Sequence, residues 1–383
     1  MGKIPNLKIL FITSEEPNQG DIYFKGLKAI LHQRCIEWPY KALYHLSVKN
    51  GKIIGYDLHG QMEIEEDNFG FLINRRYMWK APRYFGYISN NEYDYHQLPD
   101  LNDFDAIIFN FLRSEYQKKL MRKVLCNNSI RTPIFFIDGE DDPFLRLLYF
   151  SSKVKGYFKR EILSSPSINK HYLKMWSKVY IYQLRKNKLN LNSFSFPAIR
   201  GLPKLLPLNL TVATDMLNKV NDDKNKSIDI SFIASMTSSY RLELYKFLVK
   251  YVKKRKLKAD IRIVGKFGKD WIPHNEYQTI VSNSKLSISA QGTGFDTYRY
   301  WEIPFYGSTL VSQKPFIFIE NNFVDGESAI FFSNFKELER KLDYYLLKDL
   351  WEDVCRKGRE HFLKYHTHIH RAIKILETIE MLI

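Results

Sequence analysis

The sequence predicts an α/β protein made of two doubly wound domains that face each other across a cleft. Its 383 residues exceed one ordinary domain and suit two domains of roughly 150 to 200 residues each. Hydrophobic residues make up 45% of the chain and aromatic residues 15%, which is enough apolar volume for two packed cores. In both halves, strand-like apolar runs alternate with helical patterns, as is typical of parallel sheets covered by helices.

Short apolar runs that end in polar or glycine turns mark the predicted strands of the first half. They are LKILFIT (7–13), KIIGYDLHG (52–60), DAIIFNF (105–111) and TPIFFIDGEDD (132–142). Apolar residues dominate both faces of these runs, and the helical pattern YFKGLKAILHQR (23–34) lies between the first two. We therefore predict a Rossmann-like N-terminal domain over residues 1–150.

The same alternation restarts after NKVNDDKNKS (218–227), a polar stretch that is typical of a linker. The predicted strands are IDISFIAS (228–235), ADIRIVGK (259–266), KLSISAQ (285–291), STLVSQ (308–313) and SAIFF (328–332). We predict a C-terminal Rossmann-like domain over residues 225–350 and C-terminal helices over 351–383. Residues 151–224 are predicted to be a connecting helical and basic region.

The chain is basic, with 58 Lys and Arg against 42 Asp and Glu and a net charge of +16. Such a surplus attracts polyanions, nucleotides or an anionic membrane surface, and by itself it does not choose among them. The three cysteines are far apart and in no metal-ligand spacing, as expected of a reduced intracellular protein. No run approaches twenty apolar residues, so we predict a cytoplasmic protein.

The segment INKHYLKMWSKVYIYQLRKNK (168–188) mixes lysines with aromatic residues. This composition suits a helix that lies in a membrane interface, and it would place the protein at the inner face of the membrane. A connector that packs its apolar side on a domain explains the same residues. Both interpretations stay open.

Two doubly wound domains in tandem bind ligands where the carboxyl ends of their strands meet. Dehydrogenases, periplasmic-type binding proteins and GT-B glycosyltransferases share that layout. The glycine fingerprint of dehydrogenases is absent, because GTGF (292–295) lacks the third glycine and the later acidic residue. Serine nucleophile elbows and P-loops are absent as well.

The stretch SISAQGTGFDTYRYWEIPFYGS (287–308) carries the strongest signal for a binding site. Gly292 and Gly294 predict a tight turn with exposed backbone amides, and Asp296 or Thr297 is expected to cap the helix that follows. A helix start of this kind binds anions.

Arg299 and Glu302 are three residues apart on that helix and project from one face of it. A guanidinium binds phosphate, and a carboxylate suits the vicinal hydroxyls of a ribose. The alternative is a salt bridge on a solvated helix face, which would contribute only about 0.3 to 0.5 kcal/mol. Apolar and aromatic neighbours on nearly all sides argue against a solvated helix.

These residues resemble a known family. SKLSISAQGTGFDTYRYWEIPFYGSTLVSQ (284–313) is similar to the donor-site signature of exostosin-like and CgeB-like glycosyltransferases. AIFFSNFKELERKLDYYLLKD (329–349) and GREHFLKYHTHIHRA (358–372) resemble the CgeB-like tail, so the likeness covers roughly Asp229 to the C-terminus. The resemblance implies a GT-B fold, with a nucleotide sugar in the C-terminal domain and the acceptor in the N-terminal domain.

The resemblance also implies the partners: a nucleotide diphosphate sugar, foremost a UDP-sugar, and a hydroxyl of a glycan or lipid-linked glycan. Cell-surface polysaccharide synthesis is the expected setting. No cofactor is expected, and neither is a metal, because helix dipoles and basic side chains offset the diphosphate charge in GT-B enzymes.

Carried over to this chain, Arg299 would contact the diphosphate and Glu302 the ribose. Asp296 and Thr297 would lie at the phosphate-facing turn together with Gly294. Retaining GT-B enzymes often have two glutamates eight positions apart, but Gly294 stands eight positions before Glu302. The chain departs from that pattern, so we predict inversion while the stereochemical outcome stays open.

Further basic and hydroxyl residues fit the same cleft. Ser238, Ser239 and Arg241 follow the first strand of the second half and are candidates to hold phosphate, although a plain helix N-cap explains the serines as well. Lys266 closes the next strand and is placed to meet the leaving diphosphate.

Acidic residues cluster at the end of the strand TPIFFIDGEDD (132–142). Like charges crowded together raise carboxylate pKa values, so Asp138 or Asp141 is a candidate general base towards an acceptor hydroxyl. A Mg²⁺ site and an acidic turn that caps the next helix are the alternatives. The adjacent string GYFKREI (156–162) places Lys159 and Arg160 where they either reach the donor or support the interdomain hinge.

The pair His366 and His370 in HTHIH suggests zinc, but no third ligand is evident, so a structural role is favoured.

Two rival functions remain. A nucleic-acid-binding protein would explain the charge, although the lysines are spread over both halves and nucleic acid is therefore not an expected partner. A GT-B-like protein that binds glycans without catalysis is the other.

Overall fold

We describe the fold from a computed structural model of the chain. The structure describes residues 5–13, 20–39, 46–57, 60–66, 71–74, 79–82, 98–110, 115–164, 197–213, 226–265 and 272–383. The predicted basic segment 168–188, most of the predicted linker 218–227 and Lys266 lie outside these residues.

Sixteen strands and eight α-helices lie within the described residues. The strands are β1 (Ile9–Ile12), β2 (Cys35–Trp38), β3 (Leu46–Lys49), β4 (Lys52–Asp57), β5 (Gly60–Glu66), β6 (Phe71–Asn74), β7 (Trp79–Pro82), β8 (Ala106–Asn110), β9 (Ile134–Asp138), β10 (Val154–Lys159), β11 (Leu205–Pro207), β12 (Ile228–Ser235), β13 (Ala259–Val264), β14 (Ser284–Ser289), β15 (Thr309–Gln313) and β16 (Ile330–Phe332). The helices are α1 (Asp21–Leu31), α2 (Glu115–Cys126), α3 (Ser239–Arg255), α4 (His274–Ser282), α5 (Tyr298–Phe305), α6 (Phe335–Leu347), α7 (Trp351–Tyr365) and α8 (His368–Leu382). None of the described helices is long and apolar enough to span a bilayer.

The first sheet has six strands in the order β11-β10-β9-β8-β1-β2, and every pairing is parallel. Residues of β1, β8 and β9 are almost completely buried, which explains why their sequences are apolar on both faces. The prediction of these three strands is confirmed. The short edge strands β2 and β11 were not predicted, because each offers only three or four residues of pattern.

Most of the run KIIGYDLHG (52–60) does form a strand. The prediction that it is a parallel strand of this sheet is wrong. Its residues form β4, which pairs antiparallel with β3 and β5 in a separate five-stranded meander. Asn50 and Gly51 between β3 and β4 have φ values of 50° and 77°. Both positive values are what a two-residue hairpin turn requires, and the Asn-Gly pair is its usual sequence.

The second sheet has five parallel strands in the order β13-β12-β14-β15-β16. All five predicted strands of the second half are present, and β12 covers the predicted residues 228–235 without change. Leu244, Leu248 and Tyr251 of α3 are buried against the sheet, as the amphipathic pattern of this helix predicted.

Two strands of the first sheet, β10 and β11, lie within residues 151–224, the predicted connecting region. The chain then passes from β10 directly towards the second domain. Leu163 pairs with Ile199 and with Ile317, and the amide of Phe318 donates to the carbonyl of Ile162 at 2.6 Å. Residues 160–164, which we call the crossing segment, therefore join the carboxyl edge of the first sheet to the second domain.

The C-terminal region consists of the three helices α6, α7 and α8. The last of them, α8, packs on α1 of the first domain, where Ala372 and Ile375 share an apolar core with Leu27. Gly26 permits this contact, because a Cβ there would lie 2.4 Å from the carbonyl oxygen of His368. The end of the chain thus returns to the N-terminal domain.

Candidate functional site

A cleft of about 410 Å³ opens at the carboxyl ends of β12, β13 and β14, next to the start of α5. Its lining includes residues of the second domain such as Ser235, Val264, His274 and Tyr277, and Asp141 on the side of the first domain. The carboxyl edge of a doubly wound sheet is where such folds bind ligands. Of the predicted site residues, those that line the cleft are Arg241, Gly294, Asp296, Thr297, Arg299, Glu302 and Asp141.

The predicted pair Arg299 and Glu302 lies together in the cleft wall. Helix α5 is not solvated, since Trp301 is completely buried and Glu302 is only 5% exposed. Within the described residues, no ion pair of 4 Å or less joins the two side chains, and the buried Nε of Arg299 has no hydrogen-bond partner. The surface salt bridge that we considered as an alternative is therefore not what the structure contains.

Glu302 is held from the neighbouring helix α4. The hydroxyl of Tyr277 donates a hydrogen bond of 3.0 Å to its Oε2. Burial raises the pKa of Glu302 to about 7, although the charge of Arg299 and the Tyr277 hydrogen bond both act to lower it. No local sequence pattern links Tyr277 to this glutamate, because the two residues lie on different helices.

Arg241 contributes a second positive charge to the cleft. Its Nη1, Nη2 and Nε donate to the carbonyls of Ser235, Ala290 and Gln291 at 2.9, 3.1 and 3.0 Å. The guanidinium thus joins the ends of β12 and β14. Burial, and then repulsion by Arg299, lower the pKa of Arg241, so an anion bound between the two arginines would relieve an unfavourable arrangement.

Gly292 makes the position of the Arg241 guanidinium possible, because a Cβ at Gly292 would lie 2.7 Å from Nη2 of Arg241.

The two serines before Arg241 differ in their positions. Ser238 is the N-cap of α3, where its side chain accepts from the amide of Arg241, as the N-cap alternative predicted. Ser239 is the first residue of the helix and is not among the residues that line the cleft.

The turn before α5 corrects our expectation of free backbone amides. The amides of Phe295 and Asp296 donate to the carboxylate of Glu161, at 3.2 and 2.8 Å. Glu161 belongs to the crossing segment and is 1% exposed. The carboxylate of Glu161 thus occupies two of the amides at which we expected an anionic ligand. Gly294 leaves room for it, since a Cβ there would lie 2.4 Å from Oε1 of Glu161.

Asp296 lines the cleft, but both of its carboxylate oxygens are already bonded within the protein. Oδ2 accepts from the amide of Leu210 and Oδ1 from Nε1 of Trp301, both at 2.6 Å. Burial raises the pKa of Asp296, while the charges of Arg160 and Arg371 act to lower it. The N-cap position of α5 is taken by Thr297, whose hydroxyl lies 3.3 Å from that of Ser289.

The raised pKa expected for Asp138 is wrong. Burial alone would raise the pKa, but Lys159, Arg146 and the hydrogen bond from Tyr157 together lower it. The Tyr157 hydroxyl lies 2.6 Å from Oδ2, and Nζ of Lys159 lies 3.1 Å from Oδ1. Asp138 is 2% exposed and does not line the cleft, so it cannot meet a substrate hydroxyl.

Asp141 is the other predicted base, and it does line the cleft. Its side chain is 42% exposed and forms an ion pair with the buried Arg160. Asp142 instead accepts from the amide of Phe144 at 3.0 Å and pairs with Arg146 at 2.7 Å. This part of the cluster forms an acidic turn, but it does not cap a helix as the alternative supposed, because the next element is a short 3₁₀-helix, Leu147–Phe150, whose N-cap is Arg146.

Lys159 is the last residue of β10 and Arg160 the first of the crossing segment, and neither of them lines the cleft. Both are buried, and each neutralises a carboxylate of the acidic cluster. This placement matches the supporting role among the two alternatives. Sequence reasoning missed Glu161, although a run of three charged residues directly after a buried strand was a usable signal.

His366 and His370 bond to other parts of the protein. Nε2 of His366 lies 2.8 Å from the carbonyl of Asn321, and Nδ1 of His370 lies 2.7 Å from the hydroxyl of Thr367. In the parts of the chain that the structure describes, no three His, Cys, Asp or Glu residues are grouped so as to hold a metal ion.

The sequence of residues 241–377 matches a family model described as glycosyl transferase-like. The matched region includes three charged residues of the cleft wall, Arg241, Arg299 and Glu302. No curated protein matches the sequence.

Several solved structures resemble this one over nearly its whole length. An alpha-glucosyltransferase in complex with UDP-glucose and DNA containing an abasic site covers 98% of this chain with 100% of its own, at 10% identity and a TM-score of 0.54. A glycosyltransferase from Rickettsia africae ESF-5 has 11% identity and a TM-score of 0.50, with 99% of each chain covered. At such identities the likeness concerns the fold. The chain has the GT-B fold, and the predicted fold class is confirmed.

Proposed function

We propose that the protein is a glycosyltransferase that moves a sugar from a nucleotide diphosphate sugar, foremost a UDP-sugar, to a hydroxyl of an acceptor. One observation carries the proposal: Arg299 and Glu302 share the wall of the cleft, and within the described residues no ion pair of 4 Å or less joins them. The family match over residues 241–377 supports the same conclusion.

The donor is expected to use both charges. The buried Nε of Arg299 has no hydrogen-bond partner among the residues that the structure describes, and it can donate to phosphate oxygens in charge-assisted bonds that contribute about 1.5 to 3 kcal/mol each. Glu302 accepts from the ribose hydroxyls. Arg241 adds a second positive charge beside the diphosphate. Lys266 stays a predicted contact of the leaving group.

The reaction forms a bond between the acceptor oxygen and the anomeric carbon while the bond from that carbon to the phosphate oxygen breaks. Negative charge then develops on the departing diphosphate, where Arg299 and Arg241 stabilise it. Asp141 is our candidate to accept the proton of the acceptor hydroxyl, with Arg160 holding its orientation. Inversion at the anomeric carbon stays the predicted outcome, and NMR of the product anomer tests it.

A thermal-shift panel of nucleotides and nucleotide sugars tests the donor site. UDP and UDP-glucose should stabilise the wild-type protein, and Arg299→Ala should remove most of that shift. Arg356→Ala is the matched control, because Arg356 is an exposed arginine of α7 that pairs with Asp353 and Glu360 of the same helix. The proposal fails if no nucleotide stabilises the wild type, or if the two variants behave alike.

We propose a glycan or lipid-linked glycan as the acceptor, with peripheral contact to an anionic membrane. The net charge of +16 supports that contact. Sedimentation with vesicles that contain anionic lipid should show binding at low salt and its loss at high salt. Absence of binding at low salt would remove the membrane part of this proposal.

DNA is a second candidate acceptor. The same charge supports it, and a structure with this fold is a glucosyltransferase bound to DNA. Transfer assays distinguish the two candidates, because binding that weakens with salt is expected both for DNA and for anionic vesicles. Glucose transfer to DNA that contains hydroxymethyl bases would favour this candidate over a glycan.

A further inference from the structure

The hydrogen bond between Tyr277 and Glu302 divides the carboxylate into two unequal oxygens. Oε2 accepts from the Tyr277 hydroxyl at 3.0 Å, while Oε1 has no hydrogen-bond donor among the described residues. Both side chains line the cleft. Because a carboxylate is planar, fixing Oε2 also fixes the direction in which Oε1 presents its lone pairs.

Tyr277 is itself held in place by a small aromatic group. Its ring lies 6.1 Å from the ring of His274 and 6.3 Å from that of Tyr306, measured between centroids. The Tyr306 hydroxyl lies 3.2 Å from Nε2 of His274, which joins the start of α4 to the end of α5. The Tyr277 ring is thus packed on two sides.

The charged and titratable groups around Glu302 are few. Arg299 acts from its own helix and Tyr277 from α4, and both favour the ionised carboxylate. Arg241 lies beyond Arg299, and His274 and Tyr306 lie beyond Tyr277. Burial is the opposing influence and is the largest. Among the described residues, Arg299 and Tyr277 are the two groups that stabilise the charge, so removing the Tyr277 hydroxyl takes one of them away.

We propose that Tyr277 is a positioning residue for the donor: it orients Glu302 so that Oε1 receives the ribose hydroxyls, and so sets the preference for ribonucleotides over deoxyribonucleotides. This inference rests on the proposed function. It assigns to α4 a part in nucleotide selection, although Tyr277 itself need not touch the nucleotide.

Calorimetric titration with UDP-glucose across a range of pH gives the first test, because its phosphates do not titrate near neutrality. Wild-type affinity should fall as the pH drops through about 7, where Glu302 takes up a proton. Tyr277→Phe should weaken binding about fivefold to tenfold through the lost hydrogen bond and move this midpoint to higher pH. Tyr344→Phe is the matched control, because Tyr344 is an exposed tyrosine of α6, and it should leave both the affinity and the midpoint in place.

The second test compares UDP with 2′-deoxy-UDP at a pH above the midpoint. Wild type should prefer UDP, and Tyr277→Phe should lose much of that preference. A double-mutant cycle with Glu302→Gln adds a check that does not depend on overall stability, since the two substitutions should be strongly non-additive in UDP affinity.

The outcomes separate this inference from the proposed function. If wild type binds UDP-glucose but Tyr277→Phe keeps the same pH midpoint and ribose preference, Tyr277 has no positioning role and the proposed function stands. If wild type binds neither UDP-glucose nor UDP at any pH, both fail. If the effects of Tyr277→Phe and Glu302→Gln simply add, the orientation of Glu302 does not depend on Tyr277.

Discussion

The backbone amide of Asp296 donates a hydrogen bond of 2.8 Å to Oε1 of Glu161. The amide belongs to the turn that precedes α5, and the carboxylate belongs to the crossing segment that leaves the first sheet. A carboxylate buried at this point is costly unless it is bonded and neutralised, and Arg160 lies 4.0 Å away. The turn of the candidate donor site is therefore shaped by a residue of the first domain.

Glu161→Gln should destabilise the protein and weaken nucleotide binding together. The amide nitrogen of Gln cannot accept from a backbone N–H, so one buried amide loses its acceptor at a cost of about 1 to 3 kcal/mol. Urea denaturation should show the loss of stability, and calorimetry with UDP should show the loss of affinity. Glu360→Gln on the exposed face of α7 is the control and should change neither. Retained affinity in Glu161→Gln would mean that the turn keeps its shape without this bond.

The same turn shows how far the sequence could lead. The glycines, the start of α5 and the spacing of Arg299 and Glu302 can be recognised from local sequence pattern, and all of them lie at the cleft. The pattern could not reveal that Glu161 occupies two of the turn amides, because 134 and 135 positions separate it from Phe295 and Asp296. Long-range polar contacts of this kind leave no periodic signal.

The strands of the second sheet were predictable because their patterns are local. The central strands β12, β14 and β15 are largely buried on both faces, as is typical of parallel sheets, while the edge strand β13 is only partly buried. The meander was missed because the apolar run at 52–60 was interpreted by its composition alone. The Asn50-Gly51 pair directly before it is a hairpin signal and favours an antiparallel partner.

Asp141→Asn should depress turnover while leaving donor binding nearly unchanged. Asp141 lines the cleft from the side of the first domain, and loss of a general base lowers rates by about 10² to 10⁴. Product formation from UDP-glucose with a chosen acceptor gives the rate, and calorimetry gives the affinity. An equal loss in both quantities would assign Asp141 to donor binding.

Asp138→Asn should act mainly on stability. Lys159 is completely buried beside Asp138, so removing the negative charge leaves a buried cation, at a cost of about 3 to 5 kcal/mol. The sign of the pH dependence follows from the lowered pKa of Asp138. Its stabilising contribution is present above the unfolded value of 3.8 and is lost as the pH falls through the folded value. Denaturation at neutral and at acidic pH should therefore show a larger difference from wild type at neutral pH.

Glu302→Gln should lose nucleotide affinity and yet make the unliganded protein more stable at alkaline pH. The pKa of Glu302 rises from 4.5 in the unfolded chain to about 7 in the fold. The folded protein therefore binds the proton more tightly, and stability falls as the pH rises between these two values. One pH unit corresponds to about 1.4 kcal/mol, so the ionised carboxylate costs the folded state roughly 3 kcal/mol above pH 7.

Glutamine is neutral at every pH and escapes this cost. Urea denaturation should give the variant and the wild type similar stability below about pH 5 and a clear advantage to the variant above about pH 8. A buried charge that lowers the stability of the unliganded protein is typical of a binding site, because the ligand needs that charge. If the difference between the two proteins does not grow with pH, Glu302 is not a strained carboxylate, and its placement in the cleft needs a different explanation.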